Sequence, residues 1–295
     1  MKRRDILKSG LMGVGASLVA PSSLWNVVSA DNEPKDTKLK NNIRHSVCSW
    51  TYGHLSTEEL CILVKNIGFS AIDLVGPKDW PMLKKHGIEC SMCNGAELGL
   101  VDGWNDSRFH KQLIINYSIL IDQVANAGYK NLICFSGNAR GLDIEEGLQN
   151  CDRGLKKILA QAEKRGVTIQ MELFNSKVDH PDYMADNSFW GLQLCNRLGS
   201  PNFKLLYDIY HMQISEGDII RTIQDNHEHF GHYHTAGVPG RHEIDSTQEL
   251  NYPAIMKAIV ATGYEGYVAQ EFIPTGKSNK DKEKALAEAI KICDV

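Results

Sequence analysis

Four short apolar runs in the second half of the chain each close on a side chain that can bind a metal ion. Gln170-Met171-Glu172-Leu173-Phe174-Asn175 presents Glu172, and Lys204-Leu205-Leu206-Tyr207-Asp208 ends on Asp208. His229-Phe230-Gly231-His232-Tyr233-His234 ends on His234, and Gly266-Tyr267-Val268-Ala269-Gln270-Glu271 on Glu271. Three carboxylates and one imidazole form an oxygen-rich donor set. Such a set suits hard or borderline divalent ions, Mg or Mn first, Co or Zn after them. Carboxylates crowded together repel unless a cation or protons lie among them. Apolar residues such as Ile169, Leu206, Tyr233 and Val268 precede the four termini, so these groups stand at the end of a buried sheet. The expectation is one divalent metal ion on Glu172, Asp208, His234 and Glu271, with two of the four also moving protons.

Neighbouring residues extend the site. His211 follows Asp208 by three positions, and Arg241 and His242 lie in the loop after the His234 run. A guanidinium there can hold a carboxylate or hydroxyls through its fork of donors. Asn175 and Lys177, just beyond Glu172, are expected to line the mouth. Trp50, Phe174 and Trp104 are expected as an apolar wall for a sugar ring or carbon chain. His180, His227 and His229 read as structural or surface residues.

The elements that must position these groups are marked by a recurring pattern. A helical stretch ends, a Gly follows, and an apolar run of strand length begins. This occurs at Gly68, Gly87, Gly128, Gly166, Gly199 and Gly263, where Gly can take the left-handed backbone that ends a helix. Strands are expected over residues 45–50, 71–75, 88–93, 131–135, 167–172, 203–208, 231–234 and 267–271. Helices are expected over 56–67, 80–86, 107–127, 144–165, 188–198, 214–224, 253–262 and 280–292. Eight strand–helix units in one α/β domain over residues 44–295 predict a (β/α)8 TIM barrel, whose sites sit at the C-terminal strand ends. No Gly-rich dinucleotide fingerprint follows strand one, which argues against an open doubly wound sheet. Long loops at 94–106, 175–187 and 236–251 are expected to shape the pocket.

Composition agrees with a globular enzyme-sized domain: of 295 residues, 42% are hydrophobic and 23% charged. The mean hydropathy of -0.29 speaks against an integral membrane protein. Residues 1–30 read as an export signal. Arg3-Arg4 and a weakly apolar core give it a twin-arginine character, and Val28-Ser29-Ala30 supplies a cleavage site. The mature protein is therefore expected in the periplasm, with residues 31–43 as a flexible lead-in and no membrane-spanning segment. Cleavage removes four positive charges and one negative from a net charge of -4, leaving -7, which disfavours nucleic acid as a partner. A homo-oligomer is compatible with this reading. The eight Cys lie largely in apolar runs and are expected as mostly free, buried thiols. Cys90 and Cys93 have CxxC spacing, but on a regular strand an offset of three sends the two side chains to opposite faces.

Met171-Glu172-Leu173-Phe174-Asn175, Tyr207-Asp208-Ile209-Tyr210-His211-Met212, Gly231-His232-Tyr233-His234-Thr235-Ala236-Gly237 with Pro239-Gly240-Arg241, and Gln270-Glu271-Phe272 together resemble the hydroxypyruvate isomerase family. That family belongs to the xylose-isomerase-like barrels, which include ketose 3-epimerases. The resemblance runs from the first strand to the last helix. It implies a divalent metal on Glu172, Asp208, His234 and Glu271, an acid/base pair of Glu172 and Glu271, and substrate contacts from His211 and Arg241. Two features depart from the family. Hydroxypyruvate isomerases often carry Gln where His234 stands, whereas ketose epimerases carry His. The familiar isomerases are also cytoplasmic.

Such a site supports proton transfer beside a carbonyl, and the resemblance implies as substrate a small hydroxy-carbonyl compound of the hydroxypyruvate or tartronate semialdehyde type, or a free sugar. A cation makes the C–H between a carbonyl and a hydroxyl more acidic. One Glu removes that proton to give an enediolate, and the other returns a proton. Return to the neighbouring carbon is isomerisation, and return to the opposite face of the same carbon is epimerisation, as in a ketose 3-epimerase. A phosphodiester-cleaving barrel would need a multi-metal cluster with more His and Asp. A non-catalytic exported sugar-binding barrel would not need two proton-transfer Glu residues.

Overall fold

The computed structural model describes Leu39–Val295. The expected export signal over residues 1–30, and the lead-in as far as residue 38, lie outside the described residues. The end of the lead-in is tied down. Ile43 is buried, the Lys40 backbone N–H donates to the Asp294 carboxylate, and Asn42 Nδ2 donates to the Val295 carbonyl.

Among the described residues, eight parallel strands close into a barrel in sequence order. They are β1 (Arg44–Cys48), β2 (Ala71–Val75), β3 (Glu89–Cys93), β4 (Asn131–Cys134), β5 (Thr168–Glu172), β6 (Phe203–Asp208), β7 (Phe230–Thr235) and β8 (Tyr267–Gln270). Ser46 pairs with Ala269, so β8 closes onto β1. Around the strands run α1 (Thr57–Ile67), α2 (Trp80–His86), α3 (His110–Ala127), α4 (Ile144–Arg165), α5 (Ser188–Leu198), α6 (Ile209–Ser215), α7 (Ile219–Asn226), α8 (Tyr252–Ala261) and α9 (Asn279–Cys293). The expected (β/α)8 architecture is the one found.

Local chemistry sets the boundaries. Ser56 and Glu59 form a reciprocal capping box at the start of α1, and Gly68 ends that helix at φ 110, a backbone that side chains resist. In α4, Leu148, Cys151, Leu155, Ile158, Leu159 and Ala162 recur every three or four positions and form the buried stripe facing the barrel. Two differences from the sequence reading bear on the site. Strand one stops at Cys48, because Ser49–Tyr52 winds into a 3-10 turn that carries Trp50 to the barrel mouth. The single helix expected at 214–224 is two helices. α6 starts directly after β6, capped by Asp208, and Gly217 at φ 70 with Asp218 at φ 48 separates it from α7.

The cysteines divide the same way. All eight are free and buried. Cys90 and Cys93, however, do not point apart: their sulfurs lie 3.6 Å from each other. Ile72 pairs with Cys90 but Asp73 pairs with Met92, so Ser91 is an extra residue in β3 and the alternation breaks there. A thiol titration of the folded protein should find none reactive, and the unfolded protein should show all eight. Fewer than eight after unfolding without reductant would mean that disulfides form in solution.

Candidate metal and proton-transfer site

Parallel pairing brings the four strand ends into one layer. Glu172 ends β5, Asp208 ends β6 and pairs with His234 on β7, and Glu271 follows the last residue of β8. One ligand atom from each of Glu172, Asp208, His234 and Glu271 lies within 4.8 Å of the others. Their exposures are 2%, 1%, 0% and 3%, so they meet inside the barrel rather than at a solvated rim. His234 Nδ1 stands between the two glutamates, 3.0 Å from Glu172 Oε1 and 2.9 Å from Glu271 Oε2.

The charges in this layer do not balance among themselves. Burial pushes the Glu172 carboxyl up to about 7, with Glu271 adding repulsion and His234 opposing it. Burial, then the charge of Glu271, raises Asp208 well above the carboxylate range. Burial also works against ionised Glu271, but the nearby charges of His234 and Arg241 outweigh it and hold that carboxyl well below its ordinary value. Two carboxyls thus resist ionisation in a site made almost wholly of acids. Asp208 Oδ1 accepts from the His211 backbone N–H at 3.1 Å, while Oδ2 is buried without a hydrogen-bond partner. An orphaned buried oxygen beside two glutamates and an imidazole fits a divalent cation, whose charge would relieve both conditions.

Second-layer residues hold this set in place. Arg241 Nη2 donates to Glu271 Oε2 at 2.6 Å and lies 3.6 Å from Asp208 Oδ2. Its guanidinium sits between the Trp50 and Tyr210 rings, 5.3 and 5.4 Å from their centroids. Trp50 Nε1 donates to Glu271 Oε1 at 2.8 Å. His211 is fully buried, and Asn175 Nδ2 lies 2.7 Å from its Nδ1. An amide N–H can only donate, so Nδ1 accepts and Nε2 carries the proton. That proton faces Asp208 Oδ2 at 3.6 Å.

Above the acids a cavity of about 380 Å³ opens at the mouth. Glu172, Glu271 and Arg241 form its polar floor, and Trp50, Phe135, Phe174, Leu100 and Ile133 form apolar walls. The three long loops contribute as expected, through Asn94, Glu97 and Leu100, through His180, and through Arg241.

Of the sequence-predicted residues, the structure brings together Glu172, Asp208, His234, Glu271, His211, Arg241, Trp50 and Phe174. Three others lie elsewhere. Lys177 does not line the mouth, because its ammonium donates to the Ile214 and Ser215 carbonyls at the end of α6. Those carbonyls have no intrahelical donor and draw the cation away. Asn175 is buried beneath the cavity, closing its own loop through the Val178 and Asp179 N–H groups while it holds His211. Trp104 is fully buried against Tyr117 of α3 and Gly154 of α4. Conversely, His180, read as structural, lines the cavity and stacks on Phe174 at 4.2 Å.

The sequence reading also missed Asp73 and His232. Asp73 is a fully buried acid inside the apolar strand β2, with Oδ1 3.0 Å from His234 Nε2 and Oδ2 2.8 Å from His232 Nε2. A lone Asp within Ala71-Ile72-Asp73-Leu74-Val75 was the available signal.

Residues 63–294 match the family model described as a xylose isomerase-like TIM barrel. The chain belongs to the xylose isomerase-like TIM barrel family. A 2-oxo-tetronate isomerase of Cupriavidus necator is 37% identical over 113 residues, which cover 38% of this chain and 43% of that protein. A human protein provisionally named hydroxypyruvate isomerase is 34% identical over 119 residues, 40% of this chain and 42% of its own. The matches thus span about two fifths of the length of these curated relatives. Among solved structures, the crystal structure of AP endonuclease, family 2 from Brucella melitensis superposes with a TM-score of 0.75 at 25% identity, covering 83% of this chain and 98% of that one.

Proposed function

We propose that this protein is a divalent-metal-dependent isomerase of a small hydroxy-carbonyl compound, of the hydroxypyruvate or 2-oxo-tetronate type. The observation that carries the reading is the placement of Glu172 and Glu271. They approach His234 Nδ1 from the ends of β5 and β8 at 3.0 and 2.9 Å, and both line the floor of a cavity that opens above the buried acids. The names of the relatives support the same class of reaction. So does the protein's own donor set, which would hold the ion through Glu172, Asp208, His234 and Glu271.

When bound, a divalent ion supplies Lewis acidity that polarises a substrate carbonyl and acidifies the neighbouring C–H. The chain does the rest. Glu172 and Glu271, facing the cavity from β5 and from beyond β8, take and return the proton. Arg241, fixed between two aromatic rings, presents its remaining donors to a substrate carboxylate or hydroxyl. His211, fully buried beneath the cavity, turns Nε2–H toward Asp208 Oδ2 at 3.6 Å and acts on that ligand rather than on the substrate. Phe174, Phe135 and Trp50 keep water from the carbon that exchanges its proton. A specific residue favours a second reading, ketose 3-epimerisation: His234 occupies the strand-seven position at which ketose epimerases carry His. The two reactions share the first proton removal and differ in where the proton returns. We also propose that the enzyme is exported, on the strength of Arg3-Arg4 and the cleavage site at Ala30. No described helix is long and apolar enough to cross a membrane.

The test uses residues 31–295, stripped of metal and then restored with Mg, Mn, Co or Zn. Hydroxypyruvate and free ketoses are incubated with it in heavy water, and loss of carbon-bound hydrogen is followed by NMR. Metal-dependent exchange is expected. A protein that binds metal tightly but exchanges no substrate would overturn the enzyme reading in favour of a sugar-binding barrel.

A further inference from the structure

Asp73 is the best-connected buried carboxylate beneath the site. Its Oδ1 accepts from His234 Nε2 at 3.0 Å and from the Cys48 thiol at 3.7 Å. Its Oδ2 accepts from Ser91 Oγ at 2.6 Å and lies 2.8 Å from His232 Nε2. The residue is 0% exposed, so none of these donors competes with water. An irregular stretch of sheet makes the cluster possible. The extra residue in β3 is Ser91 itself, and Leu74, next to Asp73, sits at φ 56. Bulges of this kind re-aim side chains beside active sites. Here the bulge turns Ser91 onto Asp73.

The consequence falls on His234. An ionised carboxylate only accepts hydrogen bonds, so His234 must carry a proton on Nε2. In a neutral ring, the lone pair then lies on Nδ1, the atom 3.0 and 2.9 Å from Glu172 Oε1 and Glu271 Oε2. The opposite tautomer would set a lone pair against the Asp73 carboxylate and a proton where a ligand atom is needed. Histidines that bind metals commonly donate the other ring N–H to a carboxylate, which fixes ring orientation and tautomer.

We infer that Asp73 is a positioning residue for the metal centre. It holds His234 with Nε2 protonated and Nδ1 open toward the cation, and Ser91 holds Asp73 in turn. This rests on the metal reading given under Proposed function. Asp73 does not line the cavity.

The experiment measures zinc affinity by chelator competition in wild type, Asp73→Asn and Ser91→Ala, with metal-free melting temperature as the control for folding. Asp73→Asn keeps the shape but can turn an NH2 toward His234. It is expected to weaken zinc binding by about 10–100-fold, with a smaller loss in Ser91→Ala. Affinity within threefold of wild type in a folded Asp73→Asn variant would overturn the inference. A second readout needs no variant. In 15N-labelled wild type, the His234 ring should show a protonated Nε2 both metal-free and zinc-loaded, and an unprotonated, metal-shifted Nδ1 only when loaded. An unprotonated Nε2 in either state would overturn the inference even if Asp73→Asn failed to fold. A wild type that binds no zinc would count against the metal reading, while the protonation of Nε2 would still decide the role of Asp73.

Discussion

Glu271→Gln is expected to lower turnover by about 10²–10⁴-fold, the range for loss of a positioned proton-transfer group, and to leave the barrel folded. The amide is nearly isosteric with the carboxylate. Its carbonyl oxygen can still accept from Trp50 Nε1, now 2.8 Å from Glu271 Oε1. It cannot take a proton from carbon, and it is a poorer metal ligand. The main structural cost falls on Arg241, which loses a charged acceptor at 2.6 Å. Two features limit that cost. Asp208 Oδ2 lies 3.6 Å from the same guanidinium, and the Arg241 side chain keeps 13% exposure to the cavity. Far-UV circular dichroism and melting should therefore stay close to wild type while heavy-water exchange disappears. Glu172→Gln should fall as far. The double variant should be little worse than the poorer single one, because residues that act as a unit are strongly non-additive. Turnover of Glu271→Gln within tenfold of wild type would remove Glu271 from the proton-transfer pair.

The position of Glu172 and Glu271 was legible because strand ends are simple objects. An apolar run that closes on Glu172 or Asp208 states both where the strand stops and what it presents, and the barrel puts all such ends on one face. The candidate quartet of Glu172, Asp208, His234 and Glu271 followed from that logic, and His211 and Arg241 from their nearness to it in the sequence and from the family resemblance. Residues whose position depends on non-local contacts did not. Lys177 is polar and adjacent to Glu172, yet it turns away because the carbonyls of α6, about forty positions along the chain, offer it acceptors. No local pattern announces that α6 begins on Asp208. The fate of Trp104 is decided by a gap at Gly154, where a Cβ would come within 2.8 Å of the indole. Asp73 was hidden for a further reason. Its role depends on a pair of one-residue shifts between β2 and β3, on either side of Asp73, and a reading based on strict alternation erases such irregularities. The same shifts bring Cys90 and Cys93 together where alternation sends them apart.

Asp208→Asn separates what the site costs the fold from what it gives to metal binding. In metal-free protein the Asp208 carboxyl is pushed well up, first by burial and then by Glu271, so its ionised form is disfavoured in the native state. Asn keeps the volume and keeps an oxygen to accept from the His211 N–H, the bond that caps α6. The metal-free variant should therefore melt at or above the wild-type temperature at neutral pH. The sign of the pH dependence follows. A carboxyl raised on folding keeps its proton longer in the native state, so stability falls as pH rises from the unfolded value toward the folded one. Glu172, raised from 4.5 to about 7, places that decline between about pH 4.5 and 7 in the metal-free protein, and Asp208 adds to it. Asp208→Asn should flatten the slope without abolishing it. Metal reverses the ranking. At a free metal concentration a hundred times its Kd, binding stabilises the native state by about 2.7 kcal/mol. In a domain of this size that is a rise of about 5–10 °C in Tm. Wild type should show that rise with Mn or Zn. Asp208→Asn, lacking one anionic ligand, should show little of it at the same concentration. Melting curves of both proteins with and without metal decide the matter. An equal metal-induced shift in the two would exclude Asp208 as a ligand, and a metal-free variant markedly less stable than wild type would mean that the buried carboxyl supports the fold rather than strains it.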